Sequence, residues 1–229
     1  MTALLQASGV SKSYRSTPAL RGVDLQIDAG EILAVTGPSG CGKSTLLHCL
    51  AGILRPDGGT IRYHGQDLTG WSETRRATLR RTEFGVLFQF GQLIAELSAV
   101  ENVALPLLLA GARRREARHA AMACLDRFAV AHLADHKPAA TSDGEQQRCA
   151  LARAMVTNPR VLFTDEPTGA LDTYTGEQVL AELVTAAREH GTAVVMVTHE
   201  AHIAAYADRE LTLRDGAVDP TGLGLGTAA

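Results

Sequence analysis

The amino-acid sequence predicts an α/β fold, in which buried strands form a parallel sheet and one strand leads into a phosphate-binding loop. Three short apolar runs, at residues 31–36, 160–165 and 193–198, have the length and composition of buried strands. The first run is followed by the pattern GPSGCGKST and then by an apolar helical segment over residues 46–54. The order of strand, glycine-rich loop and helix is the context in which this pattern binds phosphate.

The loop after the first strand has the spacing GxxxxGK[ST] of a P-loop NTPase core. Its glycines let backbone N–H groups close on phosphate oxygens, and the following helix N-terminus favours an anion. We expect Lys43 to reach the β- and γ-phosphates of ATP, Ser44 to place its hydroxyl on Mg²⁺, and Thr45 to support the α-phosphate. The alternative is a glycine-rich turn that only connects strand and helix. The candidate nucleotide-binding residues are Gly37, Ser39, Gly40, Cys41, Gly42, Lys43, Ser44 and Thr45.

The second apolar run ends in two acids, Asp165 and Glu166. Carboxylates at the C-terminal end of a buried parallel strand suit Mg²⁺ binding. Asp165 fits the role of holding the metal, mostly through water, and Glu166 fits a general base that polarises the attacking water. Taken alone, the pair is equally compatible with a strand that turns into solvent. The downstream sequence PTGALD, which ends at Asp172, argues against that alternative.

The third apolar run ends at His199. A single histidine is more often structural than functional, but this one follows a third predicted strand in a chain that carries both halves of a nucleotide site. An imidazole can donate a hydrogen bond to a phosphate oxygen and accept one elsewhere. We therefore interpret His199 as a γ-phosphate sensor.

Composition excludes several other classes of protein. The net charge of −3 gives no reason to expect nucleic-acid binding through a basic face. No apolar run approaches the roughly 20 residues of a membrane-spanning helix, and the longest, residues 103–110, contains Pro106. The four cysteines form no CxxC pair, which makes a zinc site unexpected and favours reduced thiols. Any membrane role is expected to come through a partner.

Together these motifs resemble the ABC (ATP-binding cassette) ATPase family, and the resemblance spans nearly the whole chain. It implies a P-loop NTPase core with a parallel sheet, a small antiparallel β subdomain and an inserted helical subdomain. It also implies roles for four residues. Tyr14 matches the aromatic residue that stacks on adenine, and Gln89 matches the Q-loop glutamine that senses Mg²⁺ and the attacking water. Asp172 matches the D-loop acid that communicates across a dimer, and His199 matches the switch histidine.

The segment LSAVENVALPLLLAG, residues 97–111, resembles the branch of lipoprotein-release, macrolide-export and cell-division ATPases. Members of that branch work with FtsX-type permeases, whose cytoplasmic ends dock near the Q-loop. Residues 89–101 would then be a mobile connector that exposes apolar side chains to the partner. The alternative is an ordinary loop followed by the start of a core helix. The arginine run at 113–118 is interpreted as a solvated helix face, with contact to an anionic membrane surface as the alternative.

The signature loop departs from the family pattern. Where the family reads LSGGEQQR, this chain reads TSDGEQQR over residues 141–148. In the family, the loop opens a helix and binds the γ-phosphate held by the opposite subunit of the dimer. The resemblance therefore implies that this site acts in trans. Its candidate residues are Ser142, Asp143, Gly144 and Glu145.

Asp143 places a carboxylate where the family has glycine. An aspartate suits a helix N-terminus, but two unit charges ~6 Å apart at an effective dielectric near 20 repel by roughly 3 kcal/mol. That repulsion is equivalent to about a hundredfold in closed-dimer affinity. Three explanations compete: a weakened site with slow ATP turnover, pairing with a different ATPase subunit to give one competent and one poor site, or a side chain that turns away. A regulatory module with negligible turnover is the remaining alternative.

The expected organisation is a single cassette over residues 1–229, with a core at about 1–88 and 154–218. A helical subdomain is expected at about 89–153, a last hairpin near 211–218 with a turn at Asp215-Gly216, and a disordered tail at 219–229.

The metal ligands would be Ser44, Gln89 and Asp165. The resemblance implies ATP and Mg²⁺ as cofactors, a homodimer or heterodimer, an FtsX-type permease as partner, no nucleic acid, and membrane contact through the permease only. It places the chain in the cytoplasm, against the inner face of the cell membrane. A soluble ABC ATPase of DNA repair or translation is disfavoured by the length.

Overall fold

A computed structural model describes residues 3–89, 92–169 and 171–220, together with the backbone of residues 224–225. The described chain forms two sheets, and its helices pack mainly around the larger one. The strands are β1 (Leu5–Tyr14), β2 (Thr17–Ile27), β3 (Ile32–Thr36), β4 (Gly58–Tyr63), β5 (Gln66–Asp67), β6 (Phe84–Leu87), β7 (Val161–Asp165), β8 (Ala193–Val197), β9 (Arg209–Arg214), β10 (Ala217–Val218) and β11 (Gly224–Leu225).

Several helices begin at a side chain that caps their first turn. Ser98 and Ser142 each form a capping box with the glutamate three residues later. Asp172 accepts a hydrogen bond from the backbone of Thr175. The α-helices are α1 (Lys43–Leu50), α2 (Glu73–Thr82), α3 (Ala99–Leu109), α4 (Arg114–Arg127), α5 (Asp143–Met155), α6 (Thr173–His190) and α7 (Ala201–Ala204), with 3₁₀ turns at Ala131–Leu133 and Pro138–Ala140.

The larger sheet has the order β10-β9-β3-β8-β7-β6, with β11 paired to β9. All contacts among β9, β3, β8, β7 and β6 are parallel. Every residue of β7 and β8 is buried, as a parallel sheet covered on both faces requires. The three apolar runs identified in the sequence are thus adjacent strands, and their carboxyl ends lie at one edge of the sheet.

Alternate residues of these strands pack into two hydrophobic cores, one on each face of the sheet. In β3, Ile32 and Ala34 contact the core that contains α3, α4, α5 and α6. Leu33 and Val35 contact the core that contains α1 and the smaller sheet. This alternation follows from the period of two along a strand. The central strands are therefore held between two apolar layers.

The smaller sheet is antiparallel, with the order β2-β1-β4-β5, as the resemblance implied. The hairpin of β9 and β10 confirms the predicted turn, because Asp215 and Gly216 both have positive φ, 49° and 80°. A Cβ on Gly216 would lie 2.7 Å from the carbonyl oxygen of Ala19. Helix α1 ends at Leu50, earlier than predicted, and Gly52 follows it with a φ of 66°.

The segment between β6 and β7 is helical throughout its regular elements, in the part that the structure describes. Helices α3, α4 and α5 pack on one another in the first core. The boundaries at about 88 and 153 stay a prediction. Most of the predicted disordered tail lies outside the described residues. No described helix has both the length and the apolar character needed to span a bilayer.

Candidate nucleotide site

The phosphate loop connects the carboxyl end of β3 to the N-terminus of α1. Its path requires glycine at two positions. A Cβ on Gly37 would lie 2.1 Å from the carbonyl oxygen of Leu213, and one on Gly42 would lie 2.3 Å from that of Ala19. Both residues have positive φ, 136° and 107°. No side chain caps the start of α1, so its first N–H groups remain available to an anion.

Lys43 is folded back onto the loop. Its ammonium donates hydrogen bonds to the carbonyl oxygens of Gly37, at 2.7 Å, and Pro38, at 2.9 Å. The side chain is largely buried, which places one positive charge beneath the loop. A phosphate group held over the loop would therefore meet a fixed cation and a row of backbone donors.

Most of the predicted nucleotide residues surround one open cleft of about 360 Å³. Two predicted members of the loop, Gly37 and Cys41, do not line it, and Cys41 is buried beneath. Tyr14, at the end of β1, lines the cleft with half of its surface exposed, as a base-stacking residue would need. The lining residues are Tyr14, Ala19, Ser39, Gly40, Gly42, Lys43, Ser44, Thr45, Gln89, Asp165, Glu166 and Val197.

Asp165 and Glu166 enter the cleft from the end of β7. Asp165 is buried to 95% as the last residue of the strand, whereas Glu166 has left the strand with a φ of 50°. A positive φ is strained for a residue with a side chain, and its backbone N–H is held by the carbonyl of Val197 at 3.0 Å. After this turn, Glu166 lines the cleft and its carboxylate lies beside His199.

One oxygen of Glu166 accepts a hydrogen bond and the other does not. Oε1 lies 2.7 Å from Nδ1 of His199. Oε2 is buried and has no hydrogen-bond partner among the described residues. An unsatisfied buried carboxylate oxygen is costly, so Oε2 is a free hydrogen-bond acceptor on a residue that lines the cleft. The arrangement matches a general base and an adjacent histidine.

The contact with Glu166 raises the pKa of His199, first through the hydrogen bond and then through the negative charge. A folded-state pKa above the unfolded value means that the pair stabilises the fold fully below the unfolded pKa. The stabilisation is lost as pH rises through the folded pKa.

We expect NMR titration of the His199 imidazole to give a pKa above the ordinary value of 6.5, and we expect the substitution Glu166→Gln to lower that pKa. Glu200→Gln is the control and should lower it less; no response to Glu166→Gln would contradict the assignment.

The oxygen atoms around the cleft fit Mg²⁺ better than a softer metal. Ser44, Gln89 and Asp165 line the same space and offer a hydroxyl, an amide oxygen and a carboxylate. A second group of potential ligand atoms, from Glu166, His199 and Glu200, lies within 4.8 Å of one another, but it contains a ring nitrogen. The first set is therefore the better magnesium site.

The signature residues do not join this cleft. They lie at the N-terminus of α5, and Ser142, Gly144 and Glu145 line a separate polar cleft together with Asp172 and Arg148. The hydroxyl of Ser142 lies 2.8 Å from Oε2 of Glu145 within the capping box. Asp143 is exposed at the first position of the helix. Within one chain, the structure therefore separates the phosphate loop from the signature loop.

Three polar residues of the helical segment that make hydrogen bonds to other parts of the chain were missed in the sequence. Gln147, almost fully buried on α5, donates to the carbonyl of Pro167 at 3.0 Å and so joins the signature helix to the loop after Glu166. Arg153 donates to the carbonyl of Gln92 at 2.9 Å.

Asn102 is fully buried on α3. Its side-chain oxygen accepts a hydrogen bond from the backbone N–H of Ile94, and its side-chain nitrogen lies within hydrogen-bonding distance of the carbonyl oxygens of Ile94, Leu97 and Ser98. The segment expected to be a mobile connector is thus fastened to α3 between residues 94 and 98. A polar residue within the apolar run of α3 was the only signal that the sequence offered.

Comparison with known proteins decides the family, because the ABC transporter family profile matches residues 20–169. The chain belongs to the ABC transporter ATP-binding family. It is 43% identical to the lipoprotein-releasing system ATP-binding protein LolD of Shewanella frigidimarina, over 96% of this chain and 97% of that protein. It is 44% identical to LolD of Psychrobacter arcticus, over 94% and 98% of the two chains.

Solved ABC cassettes share the fold. A dimeric ATP-binding cassette in a post-hydrolysis state, bound to ADP and Pi, superposes with a TM-score of 0.90 at 35% identity, covering 94% of this chain and 96% of that one. The structure of cbiO1 from Clostridium perfringens, part of the ABC transporter complex cbiONQ, gives a TM-score of 0.84 at 30% identity, covering 96% of this chain and 88% of that one. The present chain is therefore an ABC ATPase with an ATP-binding site, in the α/β fold that the sequence predicted.

Proposed function

We propose that this ABC ATPase hydrolyses ATP as a head-to-tail dimer and drives a membrane permease of the FtsX type in a lipoprotein-releasing or related machine. The observation that carries the proposal is the separation of the phosphate cleft from the signature residues. Two chains related head to tail would bring these two halves together. The relatives named lipoprotein-releasing ATP-binding proteins, and the dimeric cassette of the same fold, support this arrangement.

The chain's own residues provide for binding and for proton transfer. The amides of the phosphate loop and the ammonium of Lys43 would hold the phosphates, while Tyr14 would stack on the base. Glu166 would accept a proton from the attacking water through its unpaired Oε2. His199 is hydrogen-bonded to Glu166 in the structure, and it would donate a hydrogen bond to the γ-phosphate when nucleotide enters the cleft.

Magnesium is part of the proposal. Ser44, Asp165 and Gln89 would hold Mg²⁺, which neutralises phosphate charge when it is bound. Gln89 follows β6 and precedes the segment fastened by Asn102. Its position therefore links the nucleotide cleft with the helical part of the chain.

The permease would dock in a groove between the core and the helical segment. The groove has a volume of about 440 Å³, and its mostly apolar lining includes two arginines, Arg80 and Arg153. It includes Ile53, Phe84, Phe88, Gln92, Pro106 and Arg153. This composition suits an amphipathic segment of a partner. The groove lies next to Gln89 in the chain, which supports docking near the Q-loop, and it would place the ATPase on the cytoplasmic face of the membrane.

Asp143 leaves three forms of the proposal. They are impaired turnover in both sites, a chain that forms the catalytic half of an asymmetric heterodimer, and a carboxylate that turns away from the phosphate. The intact phosphate loop, Asp165, Glu166 and His199 support a competent catalytic half-site with an impaired signature loop. They count against a regulatory module without turnover.

The partner can be tested by photo-crosslinking in cell membranes that contain the permease. A photoreactive amino acid at Ile53, in the groove, should crosslink an integral membrane protein, whereas one at Arg62, on the antiparallel sheet, should not. Adding that membrane protein to the purified chain should change ATP turnover, with Lys43→Ala as the inactive control. The proposed partner is wrong if Ile53 captures only soluble proteins or if the permease leaves turnover unchanged.

A further inference from the structure

The junction of α3 and α4 carries an exposed surface that neither the nucleotide cleft nor the groove uses. Helix α3 ends in leucines, a short turn follows, and α4 opens with arginines. We call this surface the basic tip. It consists of Leu108, Leu109, Arg113, Arg114, Arg115 and Arg118.

The arginines of the basic tip stand where they oppose helix stability. Arg113 is the N-cap of α4, and Arg114 and Arg115 are its first two residues. The N-terminus of a helix has a partial positive charge, so cations in its first turn are unfavourable. Arg113 also makes no capping hydrogen bond through its side chain. A solvated helix face would not require this placement, so the arginines are better explained by an external anionic partner.

The charge of the basic tip is only partly neutralised by the protein. Arg118 pairs with Asp135 at 3.2 Å, and Arg113 lies 4.0 Å from Glu116 at the limit of an ion pair. Arg114 and Arg115 make no ion pair with any residue that the structure describes. In a chain with a net charge of −3, the basic tip is thus a local excess of positive charge.

Apolar side chains are exposed beside this charge. Leu109 is 60% exposed and Leu108 is 36% exposed, one and two residues before the turn. Arginines next to exposed leucines are typical of segments that rest in the headgroup region of an anionic bilayer. Such a surface would gain both electrostatic attraction and apolar burial.

We propose that the basic tip binds the anionic lipid headgroups of the membrane surface directly. Charge complementarity carries this choice of partner. It is supported by continuity with the permease groove, a step that rests on the proposed function, because Pro106 on the same helix turn as Leu109 lines that groove. The chain would then touch the membrane itself, in addition to its permease.

The test uses the full-length chain and lipid vesicles, without a permease. We expect the chain to co-sediment with vesicles that contain phosphatidylglycerol and not with vesicles of phosphatidylcholine alone. High salt should weaken the binding because exposed charges are screened. Since no permease is present, failure here leaves the proposed transporter function intact, and failure of the crosslinking experiment leaves this result intact.

The charge of the tip is tested by the double substitution Arg114→Gln/Arg115→Gln. At about fivefold per arginine, it should weaken binding to phosphatidylglycerol vesicles roughly 25-fold. The matched control is the double substitution Arg21→Gln/Arg62→Gln, which replaces two exposed arginines of the antiparallel sheet. The control variant and the tip variant therefore have the same net charge. The tip variant should keep or raise the Tm, by about 2 °C, because it removes cations from a helix N-terminus. A lost interaction therefore could not be attributed to unfolding.

Three outcomes would overturn the proposal. The first is no binding of the unsubstituted chain to phosphatidylglycerol vesicles at low salt. The second is an equal loss in the tip variant and the control variant, which would indicate attraction by total charge alone. The third is retained vesicle binding in the tip variant combined with loss of binding to an acidic peptide, which would assign the basic tip to a protein partner. Weaker binding on Leu109→Ser would support the apolar contribution.

Discussion

The variant Glu166→Gln is expected to bind ATP with the affinity of the unsubstituted chain and to hydrolyse it 10²- to 10⁴-fold more slowly, roughly the contribution of a general base. Glutamine keeps the size and shape of the side chain, but it replaces one carboxylate oxygen by an NH₂ donor and cannot accept the proton of the attacking water. The effect is expected to be large because Glu166 lines the cleft and its Oε2 has no hydrogen-bond partner among the described residues.

Two measurements separate the chemical role of Glu166 from a structural one. ATP binding should be lost in Lys43→Ala, which removes the cation beneath the phosphate loop, and retained in Glu166→Gln. ATP with Mg²⁺ should also accumulate a stable dimer of Glu166→Gln, because closure no longer ends in hydrolysis. A Glu200→Gln variant alters a carboxylate that is also near His199 and should retain most of the turnover. Normal hydrolysis by Glu166→Gln would remove this residue as the base.

The nucleotide cleft could be predicted because its parts are encoded locally. The phosphate loop follows from the spacing of its glycines and from Lys43, and Asp165 follows from the end of an apolar run. Parallel strands place their carboxyl ends at one edge, so three segments far apart in the chain were expected to meet there. The structure adds the strained turn at Glu166, which no local pattern indicated.

The connections within the helical segment could not be predicted in the same way. Asn102 fastens the connector only because α3 packs so that its amide faces the carbonyls of residues 94, 97 and 98. Gln147 reaches Pro167 across an interface between distant parts of the chain. Such bonds depend on tertiary packing rather than on spacing. The signature cleft illustrates the same limit, because its proposed ligand would come from a second chain.

The substitution Asp143→Gly is expected to raise ATP-driven dimerisation, and turnover with it, by about a hundredfold. This figure follows from roughly 3 kcal/mol of repulsion between the carboxylate and the γ-phosphate of the opposite subunit. Asp143 is exposed at the first position of α5, where its negative charge interacts favourably with the helix dipole and stabilises the helix. Glycine is a poor helix former, so the same substitution should lower the thermal stability slightly. Activity and stability would move in opposite directions.

Asp143→Asn separates the charge of this side chain from its size. If repulsion dominates, asparagine should recover most of the gain seen with glycine, and raising the salt concentration should strengthen dimerisation of the unsubstituted chain more than that of either variant. If the side chain blocks the approach of the phosphate, only glycine should restore dimerisation. Asp126→Asn, an exposed acid near the end of α4, is the matched control for net charge. Neither substitution at Asp143 would raise dimerisation if the carboxylate turns away, and that result would refute the electrostatic argument while leaving the catalytic role of Glu166 untouched.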